Sequence, residues 1–402
     1  MRIAIVAPPY IPIPPDMYGG IERVIQYLIK GLIELGHEPI LLASGDSKVD
    51  CELIPIIDKA KFFPKKAAKL PAFRREMENI HKNTEQLLRD LMPRVDIIHG
   101  HSDLPAQSFD TLKVADFPNL TTLHGVIQMD DMPFYAARKD SLFYVSISKN
   151  QQRLHPGLHY MGIIYNGENP KDFPMITRPD DYLCFLGRYD SLKNPHLAIE
   201  LAVNLGMKIK VAGKLDHEGA DYYKKKIQKF EGHPLVELMG ELGFEKKVEL
   251  LSKAKCNLHP ISLREPFGLS VIEAAYCGTP TLAVSRGSMP ELIEEGRTGL
   301  LVEDIAEGYH YINECFEMDR RYIAHRARLL FNYKTMAKQY VKAYEQVLQI
   351  FDLKTPQRQT ILDIAGASRQ LLEDVWHAEI INKSKPNPKP KTKLQTKLKA
   401  KT

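Results

Sequence analysis

The chain contains 402 residues, of which 44% are hydrophobic and 26% are charged, so it has the composition of a soluble globular protein and the length for two domains with full cores. It has no apolar run of about 18 residues, which predicts that no helix spans a membrane. The apolar run at the N-terminus is too short before its prolines for a signal peptide. The five cysteines are scattered without CxxC spacing, which favours free thiols and a cytoplasmic location.

The net charge of +5 is unevenly distributed along the chain. Residues Asn382–Thr402 contain eight lysines and no acidic residue, so the rest of the chain carries 47 basic and 50 acidic residues. This segment interleaves Lys with Pro, Thr and Asn and cannot form a core, which predicts a disordered basic tail over 382–402. Such a tail suits weak contact with an anionic membrane or nucleic acid, or a purely solubilising role.

The first part of the chain alternates predicted strands and helices. Arg2–Ala7 has a buried-strand pattern and is followed by a Pro-rich loop, a helical pattern over Ile21–Leu35 and a strand at Pro39–Ala43. This order opens a parallel, doubly wound sheet. Residues 56–94 have charged residues at helical spacing, which predicts an excursion over the surface. Further strands are predicted at Asp96–His99, Asn119–His124, Leu142–Ile147 and Ile163–Tyr165, with a helix starting at Ser148–Asn150.

The pattern restarts after a Pro- and Asp-rich linker near residue 175, which predicts an N-terminal domain over 1–172 and a C-terminal domain over 173–332. The predicted strands are Tyr182–Leu186, Lys208–Ala212, Leu235–Met239, Asn257–Ile261 and Thr281–Val284, and the predicted helices are His196–Leu205, a Lys-rich helix after Gly219, Glu245–Ala254 and Leu269–Cys277. Two successive α/β halves predict two Rossmann-like, doubly wound domains that face each other across a cleft.

The stretch around the Leu269–Cys277 helix carries two carboxylates, Glu265 before the helix and Glu273 about one turn inside it. Between them, Phe267-Gly268-Leu269 would offer unpaired backbone amides at a helix N-terminus, which favours phosphate. Carboxylates for sugar hydroxyls and for a ribose diol, with amides for a diphosphate, would together hold a nucleotide-sugar. The alternative is that both glutamates are ordinary surface residues beside a helix.

Other candidate site residues follow predicted strands. Gly19 and Gly20 come directly before the first helix and allow close backbone approach to a ligand, although the GxGxxG fingerprint is absent. His124 follows a strand and precedes a glycine, which favours a position facing the cleft. Arg188 and Lys193 lie in the loop GRYDSLKN, where two cations would neutralise a diphosphate leaving group. A flexible turn, a structural histidine and a solvated pair of basic residues are the respective alternatives.

These features, in this order and spacing, resemble the family-4 retaining glycosyltransferases with the GT-B fold. The matching motifs are the Gly19-Gly20 loop, His124-Gly125, GRYDSLKN, EPFGLSVIE, GTPTLAV, PELI and GRTGLLV, and the resemblance covers roughly residues 1–350. The opening PPDMYGGIERVIQYL is most similar to the branch that includes UDP-glucose:tetrahydrobiopterin glucosyltransferases.

The resemblance implies a role for each matched residue. Glu265 would contact donor-sugar hydroxyls, Glu273 would bind the ribose, and His124 would stabilise positive charge at the anomeric carbon. The remaining donor contacts would be made by the side chains of Arg188 and Lys193 and by the backbone around Gly20, Gly268 and Leu269. Retention in this family is usually explained by same-face attack, with the leaving phosphate accepting the acceptor's proton.

The resemblance also bears on the rest of the chain. It places a helix at about 333–351 that crosses back to the N-terminal domain, whereas the family pattern does not explain residues 355–380, predicted to be a helical extension that packs on the surface or contacts a partner or membrane. No Asp-x-Asp triplet occurs, which favours a reaction without a metal or other cofactor, with the nucleotide-sugar as a substrate.

The sequence thus predicts a hexosyltransferase with UDP-glucose as the favoured donor and an unidentified acceptor. A sugar-nucleotide epimerase or phosphorylase-like enzyme on the same architecture remains an alternative, as does a non-catalytic nucleotide-sugar-binding or tail-directed adaptor protein. The absence of a P-loop argues against a nucleoside triphosphatase.

Overall fold

The computed structural model describes residues 1–61, 71–101, 117–125, 127, 133, 135, 141–216 and 219–352. The predicted extension 355–380 and the predicted tail 382–402 lie outside these residues. In the described part of the chain, no helix is both long and apolar enough to cross a lipid bilayer.

The N-terminal domain is built on one parallel sheet. Its strands are β1 (Arg2–Val6), β2 (Glu38–Ser44), β3 (Glu52–Ile57), β4 (Ile97–Gly100), β5 (Asn119–Leu123), β6 (Phe143–Ser146) and β7 (His159–Ile163), and its helices of six or more described residues are α1 (Gly20–Glu34), α2 (Pro71–Leu91) and α3 (Lys149–Leu154). The strand order is β3-β2-β1-β4-β5-β6-β7, and all neighbouring strands run parallel.

The C-terminal domain repeats this plan. Its strands are β8 (Tyr182–Leu186), β9 (Lys208–Ala212), β10 (Val236–Gly240), β11 (Cys256–His259), β12 (Thr281–Val284) and β13 (Gly299–Val302), and its longer helices are α4 (Pro195–Asn204), α5 (Phe244–Lys253), α6 (Leu269–Tyr276), α7 (Gly308–Phe316) and α8 (Arg320–Leu330). The strand order β10-β9-β8-β11-β12-β13 is again parallel throughout. The prediction of two Rossmann-like domains is confirmed.

Apolar side chains cover both faces of each sheet, as parallel sheets require. In the N-terminal domain, α1 and the last helix, α9 (Tyr333–Asp352), pack on one face of the sheet, where Ile5, Val24 and Tyr340 share a core. Ile80 and Leu88 of α2 pack on the other face. The chain therefore returns to the N-terminal domain after completing the C-terminal one.

The predicted elements differ from the structure mainly at the sheet edges. The strand Glu52–Ile57 was not predicted, because Pro55 breaks its pattern; its position at the edge of the sheet tolerates a residue without an amide hydrogen. The strand predicted at Ile163–Tyr165 is wrong in position, since the opposite edge strand pairs over His159–Ile163. The segment predicted as a surface excursion with helical spacing contains α2, a largely exposed helix whose buried residues pack on the sheet.

Two elements of the C-terminal domain differ in detail from the prediction. The Lys-rich segment after Gly219 is helical, as predicted, but its hydrogen bonding changes along its length, from an α-helical turn at Ala220–Tyr222 to a π-helical turn at Tyr223–Ile227 and a 3₁₀ turn at Gln228–Phe230. The strand predicted at Asn257–Ile261 occupies Cys256–His259, and it ends before Pro260, which has no amide hydrogen to continue the ladder.

The two domains contact each other on both sides of the cleft. The Glu291 carboxylate accepts hydrogen bonds from the amides of Lys149 and Asn150 at the start of α3, both at 2.7 Å. On the other side, the Tyr18 amide donates to Glu241 at 3.0 Å, and the Arg23 guanidinium lies 4.4 Å from the centroid of the Phe244 ring. These contacts fix the width of the cleft between the carboxyl edges of the two sheets.

Candidate active site

A cavity of about 760 Å³ lies between the domains at the carboxyl ends of their strands. This position follows from the topology, because the carboxyl ends of all strands in a parallel sheet meet at one edge. All of the predicted site residues line it: Gly19, Gly20, His124, Arg188, Lys193, Glu265, Phe267, Gly268, Leu269 and Glu273. The structure thus brings together residues that are up to 254 positions apart in the sequence.

Glu265 lies in the loop between β11 and α6 and forms an ion pair with Lys193. The two side chains are only 15% and 18% exposed. Burial, the largest single effect, would raise the pKa of the Glu265 carboxyl, but the charge and hydrogen bond of Lys193, together with His259 and Arg188, outweigh it, and the pKa lies below the usual value. Glu265 is therefore an ionised acceptor of hydrogen bonds inside the cleft.

The backbone around Glu265 is held by the segment that follows β12. The Ser288 amide donates to the Glu265 carbonyl at 3.0 Å, and the Ser288 hydroxyl donates to the Phe267 carbonyl. Gly268 has φ of 109°, which favours glycine, and directly precedes α6. The first amides of α6 have no partner within the helix and so present positive partial charge at the cavity.

The loop after β8 holds its two cations next to carboxylates. The Asp190 carboxylate accepts hydrogen bonds from the amides of Leu192 and Lys193 at 3.0 and 2.9 Å and lies 3.0 Å from the Arg188 guanidinium. The Asn194 side-chain amide donates to the Pro260 carbonyl at 3.1 Å. Arg188 and Lys193 thus lie at the cavity as partners of Asp190 and Glu265, not as isolated charges.

Glu273 lies deeper in the C-terminal wall, where its side chain is 5% exposed. Its carboxylate forms an ion pair with Lys247 of α5. Lys247 was not predicted as a site residue, because nothing distinguishes it from the other lysines of the segment FEKKVELLSK. A second buried Lys–Glu pair therefore stands beside the first.

The N-terminal wall carries a cluster of three histidines. The Nε2 atom of His124 lies 2.9 Å from Nδ1 of His101, and the rings of His101 and His99 have centroids 4.1 Å apart with their planes tilted by 45°. Both ring nitrogens of His99 are paired, with the Tyr344 hydroxyl at 2.7 Å and the Thr122 hydroxyl at 2.8 Å. Tyr344 belongs to α9, so the returning helix supports this wall.

Burial lowers the pKa of each histidine in the cluster, to about 4 for His124 and about 3 for His99, with that of His101 also well below its usual value. All three rings are therefore neutral at neutral pH. Burial also raises the pKa of the Glu22 carboxyl, which lines the same wall, to about 7. The other described residues of this wall are largely apolar or aromatic, including Tyr10, Ile11, Met17, Tyr18, Ile127 and Tyr135, with Arg23 as a charged exception.

Two domains of Rossmann type, with a charged cleft between their strand ends, define the GT-B fold, and the comparisons agree. Residues 18–159 match the model of Glycosyltransferase Family 4, and residues 171–329 match that of Glycosyl transferases group 1. Together the two matches span three quarters of the chain. The chain is a glycosyltransferase with the GT-B fold, as the sequence predicted.

Relatives of this chain include enzymes that act on different substrates. Glycogen synthase from Mycobacterium tuberculosis H37Rv is 26% identical over 345 residues, which cover 75% of this chain and 82% of that protein. D-inositol 3-phosphate glycosyltransferase from Mycobacterium avium is 33% identical over 163 residues, covering 37% of this chain and 36% of that protein.

Solved structures share the fold at low sequence identity. Sucrose-phosphate synthase from Thermosynechococcus elongatus matches with a TM-score of 0.70 at 18% identity, covering 87% of this chain and 99% of that chain. HepE from Anabaena, in complex with UDP-glucose, matches with a TM-score of 0.62 at 16% identity, covering 86% of this chain and 100% of that chain.

Proposed function

We propose that the enzyme transfers a hexose from a nucleotide-sugar, with UDP-glucose as the favoured donor, to an acceptor hydroxyl with retention of configuration and without a metal ion. The observation that carries this proposal is the pair formed by Lys193 and Glu265 beside the N-terminus of α6. It places a cation, an ionised carboxylate and helix amides at one point of the cavity. A nucleotide-sugar needs these three groups at the junction of its sugar and diphosphate.

In this proposal, the C-terminal wall binds the donor. Arg188, Lys193 and the first amides of α6 hold the diphosphate, Glu265 accepts hydrogen bonds from the sugar hydroxyls, and Glu273 binds the ribose diol. The preference for UDP-glucose rests on the resemblance of the opening segment to a UDP-glucose-dependent branch. The complex of HepE with UDP-glucose is consistent with this preference.

The proposed reaction is a same-face displacement. The bond from the anomeric carbon to the phosphate oxygen breaks, its electron pair stays on the leaving diphosphate, and the acceptor oxygen bonds to the same face of that carbon. The acceptor's proton passes to the leaving phosphate oxygen. His124 contributes a carbonyl or neutral ring beside the developing positive charge, and its low pKa prevents a repelling imidazolium at neutral pH. Arg188 and Lys193 stabilise the departing charge in place of a metal ion.

The first test is a donor screen. We expect nucleotide release from UDP-glucose, and none of similar rate from UDP-galactose, UDP-N-acetylglucosamine or GDP-mannose, with the rate unchanged by EDTA. Proton NMR of the product made from the α-linked donor would show an α-glycoside. Loss of release in EDTA would contradict the metal-independent reaction, and a β-glycoside would contradict retention.

The same screen separates the alternatives. An epimerase would convert the sugar of the donor without releasing nucleotide, and a binding protein would bind a donor without consuming it. If no donor is bound and none releases its nucleotide, the proposal as a whole is contradicted.

A further inference from the structure

The chain crosses between the domains twice, and the two crossings meet at Glu168. Its amide donates a hydrogen bond to the Phe331 carbonyl at 3.0 Å, and its carbonyl accepts one from the Tyr333 amide at 3.1 Å. At the preceding Gly167, a Cβ atom would lie 2.6 Å from the Phe331 carbonyl oxygen, so the crossings approach too closely for a side chain there. The backbone of Glu168 is therefore fixed at the hinge.

The Glu168 side chain points from this hinge into the donor half of the cavity. It is completely buried and lines the cavity, and neither of its carboxyl oxygens accepts a hydrogen bond from a donor group of the described residues. Its carboxyl group lies within hydrogen-bonding reach of the Glu273 carboxyl group. Burial, and then the negative charge of Glu273, raise the pKa of the Glu168 carboxyl to about 8. At neutral pH Glu168 is thus a neutral acid beside the carboxylate that we assign to the ribose.

Titratable groups from three helices surround Glu168. They are Glu273 and Tyr276 from α6, Lys247 from α5, and Arg23 and Tyr27 from α1. Lys247 is already paired with Glu273, and Arg23 lies over the Phe244 ring. With Glu168 neutral, the two carboxyl groups together carry one negative charge, which Lys247 balances. With Glu168 ionised, they carry two.

We propose that Glu168 is a positioning residue for donor binding: as a neutral acid it donates a hydrogen bond to the Glu273 carboxylate and orients it toward the ribose, and when ionised it repels that carboxylate and weakens donor binding. The inference rests on the proposed role of Glu273 in the donor site. Glu168, at the point where the two crossings meet, would then have a function although it neither carries out the transfer nor contacts the sugar. Burying a protonated carboxyl group costs free energy unless its proton is hydrogen-bonded to an acceptor. In this proposal the acceptor is the Glu273 carboxylate.

Donor affinity as a function of pH tests the proposal. Calorimetric titration with UDP-glucose between about pH 6.5 and pH 8.8 should show the wild-type Kd rising about fivefold, since a group with a pKa near 8 is mostly ionised at the upper limit. Glu168→Gln donates the same hydrogen bond and cannot ionise, so its Kd should match the low-pH wild-type value across the range. Any titration of the donor itself affects both proteins equally.

Two further variants complete this experiment. Glu168→Ala removes both the hydrogen bond and the ionisable group, so its Kd should lie about threefold to tenfold above the low-pH wild-type value and should not change with pH. Glu245→Gln, an exposed glutamate on the same helix as Lys247, is the matched control and should keep the wild-type pH dependence. A Kd for Glu168→Gln that rises with pH as in the wild type would overturn the positioning role.

A second readout does not depend on the donor. The folded wild type keeps a proton on Glu168 that the unfolded chain releases between about pH 4.5 and pH 8, so its stability falls relative to Glu168→Gln as the pH rises through this window. The melting temperature of Glu168→Gln should therefore exceed that of the wild type by a growing margin. A constant difference in melting temperature would overturn the neutral state of Glu168.

The binding experiment separates failure of this proposal from failure of the proposed function. If the wild type binds no nucleotide-sugar at any pH, the proposed function fails together with the positioning role. If the wild type binds UDP-glucose and its Kd has the same pH dependence as that of Glu168→Gln, only the positioning role fails.

Discussion

The two walls of the cleft differ in the charge of their buried polar groups. The C-terminal wall contains two buried Lys–Glu ion pairs, Lys193 with Glu265 and Lys247 with Glu273. The N-terminal wall keeps three buried histidines neutral and holds Glu22 with a pKa near neutrality. Both walls are comparably removed from water, so burial alone does not decide the charge state. An opposite charge within contact distance does.

This difference in charge suggests different roles for the two domains in ligand binding. Buried ion pairs cost desolvation energy and stabilise a fold weakly, so their retention in one wall is best explained by an anionic ligand that shares their charges. The wall opposite, where the described residues other than Glu22 and Arg23 are uncharged, would lower the local dielectric constant around that ligand. Charges on the donor side thereby act more strongly on the reacting atoms than they would in water.

Among substitutions in the C-terminal wall, we expect removal of the Glu265 carboxylate to have the largest effect. Glu265→Ala should lower kcat about 100- to 1000-fold, because the sugar loses a fixed, ionised partner at the reacting carbon. Initial rates of nucleotide release measure this. Circular dichroism and the melting temperature establish that the fold is intact, and Glu265→Gln, which keeps the side-chain volume, separates loss of charge from loss of packing. Turnover like that of the wild type would remove Glu265 from the proposed site.

Glu273 belongs to the same wall but should act on binding more than on rate. Glu273→Ala should raise the KM for the donor about tenfold with a much smaller change in kcat, because the proposed ribose contact would be the same in the ground state and the transition state. Steady-state kinetics with varied donor gives both constants. Glu249→Ala on the exposed face of α5 is the matched control. An unchanged donor affinity in Glu273→Ala would count against the ribose role.

The comparison of the walls also shows what the sequence allows one to predict. Alternating strands and helices fix a parallel sheet, and a parallel sheet fixes which loops share an edge. For this reason Glu265, Arg188 and His124 could be placed at one cleft from their positions after predicted strands. The elements that were missed or misplaced in the N-terminal sheet, Glu52–Ile57 and His159–Ile163, are its two edge strands, where the hydrophobic pattern is weakest.

The partners of the predicted residues could not be predicted. Lys247 follows another lysine in an amphipathic helix, and only the packing of α5 against α6 shows which of the two reaches Glu273. Glu168 follows an Asn-Gly turn that predicts only the bend. Its burial depends on the two crossings closing against each other, which joins residues 168 and 331. Such contacts arise from the tertiary structure and leave no local pattern.

The neutral state of the buried histidines in the N-terminal wall can be tested separately through the pH dependence of the free energy of unfolding. Burial holds the pKa of His99 at about 3, below the ordinary value of about 6.5, so between these pH values the unfolded chain binds a proton that the folded chain does not. The free energy of unfolding should therefore fall as the pH drops from about 6.5 to about 5, by about 1.4 kcal/mol per pH unit for this residue. His99→Gln should remove that contribution, which urea unfolding at the two pH values measures.

Between about pH 5 and pH 6.5, the contribution of His99 to stability can be separated from that of the carboxylates in the cleft. The pKa of Glu265 is lowered, so the stability that its ionised form contributes is present above the ordinary glutamate pKa and is lost only at lower pH. Glu22 and Glu168 titrate with the opposite sign, but they do so equally in the wild type and in His99→Gln, and the difference between the two proteins cancels them. His325→Gln, an exposed histidine on α8, should leave the slope unchanged. Equal slopes in the wild type and His99→Gln would mean that the His99 ring titrates in the folded protein as it does in water, and the contrast between the two walls would be lost.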